Sequence, residues 1–178
     1  MTSESDRQLL LRIAREAIVA HVGAVRVSAV ERSEVLDRPG GAFVTIHKQR
    51  ELRGCIGHIE PNEPLGRVIP RVAVAACSSD PRFPPLSAVE LPQIVVELSL
   101  LGPLEPLRAP DDIEVGRHGL VVERDRHYGL LLPQVATDWR WDRVTFLAET
   151  CRKAGLPHDA WRHGAGLWTF EAEVFGER

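Results

Sequence analysis

The side chains best able to do chemistry in this chain are Arg53 and Cys55, in the run Leu52-Arg53-Gly54-Cys55-Ile56-Gly57-His58, and Arg82 with Phe83, in Asp80-Pro81-Arg82-Phe83-Pro84-Pro85. In a regular strand alternate side chains share a face, so Arg53, Cys55 and Gly57 are expected together, with a guanidinium beside a thiol. A cation there favours the thiolate, the nucleophilic and metal-binding form of cysteine. Gly54 and Gly57 weaken a strand and often mark a bulge or a close approach by backbone or ligand. The plain alternative is a strand holding a small, half-buried cysteine, which is how free cysteine usually behaves. In the second run, prolines limit the backbone and hold the Arg-Phe pair in place. The planar fork of Arg82 suits a carboxylate or phosphate, and it equally suits a neighbouring Asp or Glu. Both readings stand.

Local patterns place these residues on elements. Helical spacing of Leu9, Ile13 and Ala17, and of Leu10, Ala14 and Ile18, predicts a helix near Ser5 to Val22. Ala24 to Leu36 carries no clear period. Ala42 to His47 reads as a strand, Lys48 to Glu51 as a turn, and the cysteine run as the second arm of a hairpin. Asn62 is the expected cap of a helix reaching Cys77, with Pro70 expected to kink or restart it. Ser87 to Glu90 has capping-box form and should stop before Pro92. Strands follow at Ile94 to Leu101, Gly119 to Arg124 and Tyr128 to Leu132. A helical turn is expected at Pro133 and a helix from Asp142 to Ala154, stopped by Gly155. Leu167 to Phe175 should be a half-buried strand with Trp168, Phe170, Ala172 and Val174 facing inward. Cys77 and Cys151 read as packing residues.

A chain of 178 residues with 44% hydrophobic and 26% charged residues is ordinary for a globular protein. Helices interspersed with hairpins favour an α+β fold with a mainly antiparallel sheet. We expect one domain over 1–178 made of two unequal subdomains, with a boundary near the proline-rich 102–112. A net charge of -3, without basic blocks, argues against nucleic acid as partner. No apolar run approaches the roughly 18 residues of a membrane span. Three cysteines without a Cys-x-x-Cys pair fit a reducing compartment, so the cytoplasm is expected. No phosphate loop, serine elbow or metal-binding helix occurs, and neither a cofactor nor a metal is expected.

Taken together, Gly41-Ala42-Phe43-Val44-Thr45, the hexad Leu52 to Gly57, Asp80 to Leu86, Val115-Gly116-Arg117-His118-Gly119-Leu120, Leu131-Leu132-Pro133-Gln134-Val135-Ala136 and Cys151 to Pro157 resemble the AMMECR domain family over nearly the whole chain. That resemblance implies a two-subdomain α+β fold with a cleft. It also implies the AmmeMemoRadiSam gene context: a Memo-type protein similar to ring-opening dioxygenases, and a radical S-adenosylmethionine protein. Carried over by position, the site residues are Arg53, Cys55, Arg82, Phe83, His118 and Gln134, and after them Lys153 and Cys151; the strand reading adds Gly54 and Gly57 to the same site. Two functional readings follow. In one, the chain is an accessory or binding subunit holding a small anionic ligand or a partner segment through its arginines. In the other, Cys55 is a nucleophile deprotonated by His58 or His118, with backbone at Gly54 or Gly57 receiving the oxyanion.

Overall fold

The computed structural model describes residues 2–23 and 32–177. Of the weakly patterned segment from Ala24, residues 24–31 lie outside the described residues. The chain divides into two compact units, residues 1–101 with 173–178, and residues 102–172.

In the first unit, helix α1 (Glu4–Gly23) buries Leu9, Leu10, Ile13, Ala14, Ala17 and Ile18, the face its spacing predicts. After the short α2 (Glu34–Asp37) come strands β1 (Ala42–Lys48) and β2 (Glu51–His58), paired antiparallel. Gln49 and Arg50 turn the hairpin with φ of 52° and 70°. A two-residue turn with positive φ at both positions matches strand twist, here without glycine. Helix α3 (Leu65–Ser78) follows, and then β3 (Ile94–Leu101) returns antiparallel to β1. The order β2-β1-β3 leaves one side of β2 as a sheet edge.

One detail of α3 differs from expectation, and at Pro70 the helix does not restart. The segment before it pairs with the chain at Pro39, since Gly40 N–H donates to Glu63 C=O and Leu65 N–H to Arg38 C=O. Pro64 therefore holds the cap position in extended backbone, and the Asn62 side chain bonds Glu60 and His58 instead. Pro70 lies inside one continuous helix. An interior proline costs about 3 kcal/mol, whereas each large apolar side chain buried contributes about 1.5–3 kcal/mol. Leu65, Val68, Ile69 and Val72 are all buried on this helix, so the packed face outweighs the lost donor.

In the second unit, strands β5 (His118–Arg124) and β6 (His127–Leu131) form the expected hairpin, and β5 also pairs antiparallel with β7 (Gly166–Gly176). A two-residue strand, β4 (Glu105–Pro106), pairs with β7. Helix α4 (Pro133–Asp138) starts on its proline, and Asp142 caps α5 (Arg143–Lys153) by accepting the Thr145 N–H at 2.8 Å. Gly155, with φ of +73°, ends that helix region as expected. Phe146, Leu147, Leu120 and Ile113 make one core cluster, while Cys151 joins Val122 and Leu156 in another.

Strand β7 corrects one expectation. Its residues from Glu173 onward belong to the first unit, where Phe175 packs against the core and Val174 is 43% exposed. An alternation read as one continuous face cannot see that the strand changes the core it serves. The fold is α+β with antiparallel pairing, as the order of elements indicated.

Candidate functional site

Cys55 lies in the middle of β2, opposite Thr45 of β1. Its peptide N–H faces away from β1, toward the sheet edge, where the Asp80 carboxylate accepts it at 2.9 Å. The Thr45–Cys55 pair is thus of the non-hydrogen-bonded kind, in which side chains come closest. The Thr45 hydroxyl donates to Cys55 Sγ at 3.3 Å. On the opposite face, next in sequence, Gly54 lies against α3: a Cβ there would stand 2.1 Å from the Ala76 carbonyl oxygen. Gly54 is what lets helix and strand approach. Gly57 is covered by the Phe43 ring, with carbons 2.3 Å from a hypothetical Cβ.

The loop after α3 fills the edge of β2. Asp80 also accepts from the Arg82 backbone N–H at 3.1 Å, from Arg82 Nε at 2.9 Å on Oδ1 and from Nη2 at 2.7 Å on Oδ2. Arg82 Nη2 reaches the Cys55 carbonyl at 3.5 Å, the outer limit of a hydrogen bond. A carboxylate and a guanidinium therefore meet the N–H and C=O that an additional strand would meet. The Asp80 side chain is 3% exposed and that of Arg82 53%. Phe83 lies beside the guanidinium, its ring centre 5.5 Å from Arg82 Cζ.

Arg53 goes elsewhere. The β1–β2 register slips between Ile46 and His47, which face Gly54 and Leu52, leaving Arg53 as the extra residue of a bulge. A bulge breaks strict alternation. The Arg53 fork closes on Glu90, with Nε to Oε1 and Nη2 to Oε2 both at 3.1 Å, while Nη1 donates to Pro84 C=O at 2.9 Å. Glu90 also accepts from Lys48 Nζ at 2.9 Å and from the Ser87 N–H and hydroxyl at 3.0 and 2.9 Å. The capping box expected at Ser87 is present, on a 3-10 helix (Ala88–Gln93) that continues through Pro92 instead of stopping before it. Arg53 thereby ties β2 to the proline loop.

These contacts set the electrostatics. Burial, the largest cause, pushes the Cys55 thiol above its ordinary range; Thr45 and Arg82 pull it down, Asp80 and Glu97 push it up. The expected thiolate-favouring environment is outweighed, because desolvation disfavours the charged form and the Arg82 cation is already matched by Asp80. The Arg82 guanidinium holds the Asp80 carboxyl well below the usual carboxylate range. Arg53 does the same for Glu90, helped by Ser87 and Lys48.

Cys55, Arg53, Gly54, Gly57, Arg82 and Phe83 all belong to the first unit. His118 and Gln134 belong to the second. His118 opens β5, its Nδ1 accepting the Glu114 N–H at 3.1 Å, and Gln134 sits half-buried in the first turn of α4. His58 Nε2 lies 3.1 Å from Asn62 Oδ1. Cys77 and Cys151 are buried packing residues, and all three cysteines are free. Thr45, Asp80 and Glu90 complete the site and were not singled out from sequence. Asp80, two residues before Arg82 in a turn, and Glu90, closing a capping box, were visible as partners in waiting. Among the described residues, no cluster of three or more His, Cys, Asp or Glu side chains is placed to hold a metal ion, and no helix is long and apolar enough to cross a membrane.

Comparison with known proteins fits this geometry to a family. The AMMECR1 family model matches residues 11–175. A protein of Aeropyrum pernix is 46% identical, covering 98% of this chain and 80% of its own length. One of Methanocella arvoryzae is 42% identical, covering 99% and 93%. A crystal structure of an uncharacterised protein from Pyrococcus horikoshii superposes with a TM-score of 0.89 at 40% identity, covering 95% of this chain and 90% of that one. Motifs, fold and relatives agree: the chain belongs to the AMMECR1 family.

Proposed function

We propose that this chain is a binding or accessory protein, in which Arg82 beside Cys55 receives the anionic group of a small ligand or of a partner segment. The observation that carries the reading is the split state of Arg82. Its inner edge is clamped by a buried carboxylate while 53% of its side chain faces solvent, so the guanidinium is both held rigid and presented. Arg53 does not share this role, because its nitrogens are committed to Glu90 and Pro84.

The geometry gives less support to Cys55 as a nucleophile. Its thiol is raised, and among the described residues the side-chain hydrogen bond to Sγ comes from Thr45, which is a donor and not a base. The proposed companions are the Memo-type and radical S-adenosylmethionine proteins that the family resemblance implies. The proposed compartment is the cytoplasm, which the free cysteines favour.

Affinity purification of the tagged chain with the two companions co-expressed tests this reading. We expect a companion to be retained by the wild type and released by Arg82→Ala that is still folded, though less stable for the loss of its pair with Asp80. Equal retention by Arg82→Ala contradicts the assignment of Arg82.

A further inference from the structure

The Asp80 carboxylate makes the contacts that a bound ligand's carboxylate would make. One oxygen takes the edge-strand N–H of Cys55 and one nitrogen of the Arg82 fork; the other oxygen takes the second fork nitrogen and the Arg82 backbone N–H. A planar two-oxygen anion set on a guanidinium and a free edge N–H is a complete carboxylate-recognition site, here filled from within the chain. The later part of the loop has anchors of its own. Leu86 N–H donates to Cys77 C=O at 2.7 Å, and Arg53 holds the Pro84 carbonyl. Release of Asp80 by rotation about its own side-chain bonds would give up one of the two ion pairs on the loop and leave the Arg53–Glu90 pair and the Leu86 bond to hold it.

We propose that Asp80 is an autoinhibitory occupant, and that the ligand of this site is a carboxylate that replaces it on Arg82 and on the Cys55 N–H. This rests on the proposed binding role of Arg82 and names its ligand class. An internal anion acts as a tethered competitor, so apparent affinity is reduced by the fraction of molecules in which Asp80 has left. Ligand gain is limited to the difference between the two carboxylates, which makes the site weak for single acids and selective for molecules with further contacts.

The test is an NMR titration of the full chain with acetate at constant ionic strength, following the Cys55 amide and the Arg82 Nε–H, with inorganic phosphate as a second probe. We expect Asp80→Ala to bind acetate at least tenfold more tightly than wild type, with both signals moving, and Asp80→Ala/Arg82→Gln to lose that gain. Folded Asp80→Ala with no gain overturns the displacement model, as does a gain for phosphate without one for acetate. If acetate binds wild type and Asp80→Ala alike through Arg82, displacement fails while the binding role survives; no binding in either overturns both. Should Asp80→Ala not fold, the Asp80 carboxyl carbon signal of the labelled wild type decides. It moves toward that of a solvated aspartate at saturating acetate if Asp80 is displaced, and stays fixed if Asp80 is a permanent pin.

Discussion

At the scale of single residues, Gly54 carries the sharpest steric demand. Adding a Cβ would press on the Ala76 carbonyl oxygen, which belongs to helix backbone and cannot turn aside. We expect Gly54→Ala to lower stability by about 1–3 kcal/mol or more, read from denaturant midpoints. Gly57→Ala meets the Phe43 side chain instead. Its cost should be smaller and should fall further when Phe43 is also replaced by alanine. The sequence marked both glycines as places of close approach. It did not say which neighbour approaches, because helix and hairpin are distant in the chain. The same limit hid Thr45: a cross-strand partner follows from register, and register depends on a bulge that strict alternation overlooks.

At the scale of elements, the proline loop is fastened to β2 by two carboxylate–guanidinium pairs, Asp80–Arg82 and Glu90–Arg53. Arg53 and Glu90 are 13% and 14% exposed, so removing one leaves the other poorly solvated. Arg53→Ala should cost about 2–4 kcal/mol, and a double-mutant cycle with Glu90→Gln should show coupling well above that of a surface pair. Acid sensitivity follows with a definite sign. Both carboxyls titrate below their ordinary values in the folded chain, so their stabilisation is full above the unfolded values of about 4 and fades as pH falls below them. Urea midpoints between roughly pH 5 and 2 should fall more steeply in wild type than in Asp80→Asn/Glu90→Gln; parallel curves would contradict the two latches. The elements themselves were largely legible. Period and punctuation placed α1, the β1–β2 hairpin, β3, the β5–β6 hairpin and α5. The start of α3 was not, because pairing of residues near 63–65 with 38–40 is a long-range contact that overrode Asn62 as a cap.

At the scale of the whole molecule, the last residues close the first unit. Glu177 accepts the Val96 N–H at 2.8 Å and pairs with Arg15 of α1, and Glu173 takes Arg7 and the Thr2 hydroxyl. Glu177→Ala leaves the Arg15 charge and a strand N–H unmatched. We expect a loss of about 2 kcal/mol, or roughly 4–8 °C in a chain of this size, by thermal melting. Composition cannot foretell that a strand will begin in one unit and end in another. The resemblance spanned nearly the full chain, which is why the family was legible when the partners of its charged side chains were not.

At the centre of the site, burial keeps the Cys55 thiol protonated beside a rigid arginine. Alkylation of Cys55 with iodoacetamide across pH, in a folded Cys77→Ala/Cys151→Ala background, measures this directly. We predict a midpoint above the ordinary cysteine value of about 8.5; a midpoint at or below about 7 would mean an activated thiolate and would return Cys55 to the role of nucleophile.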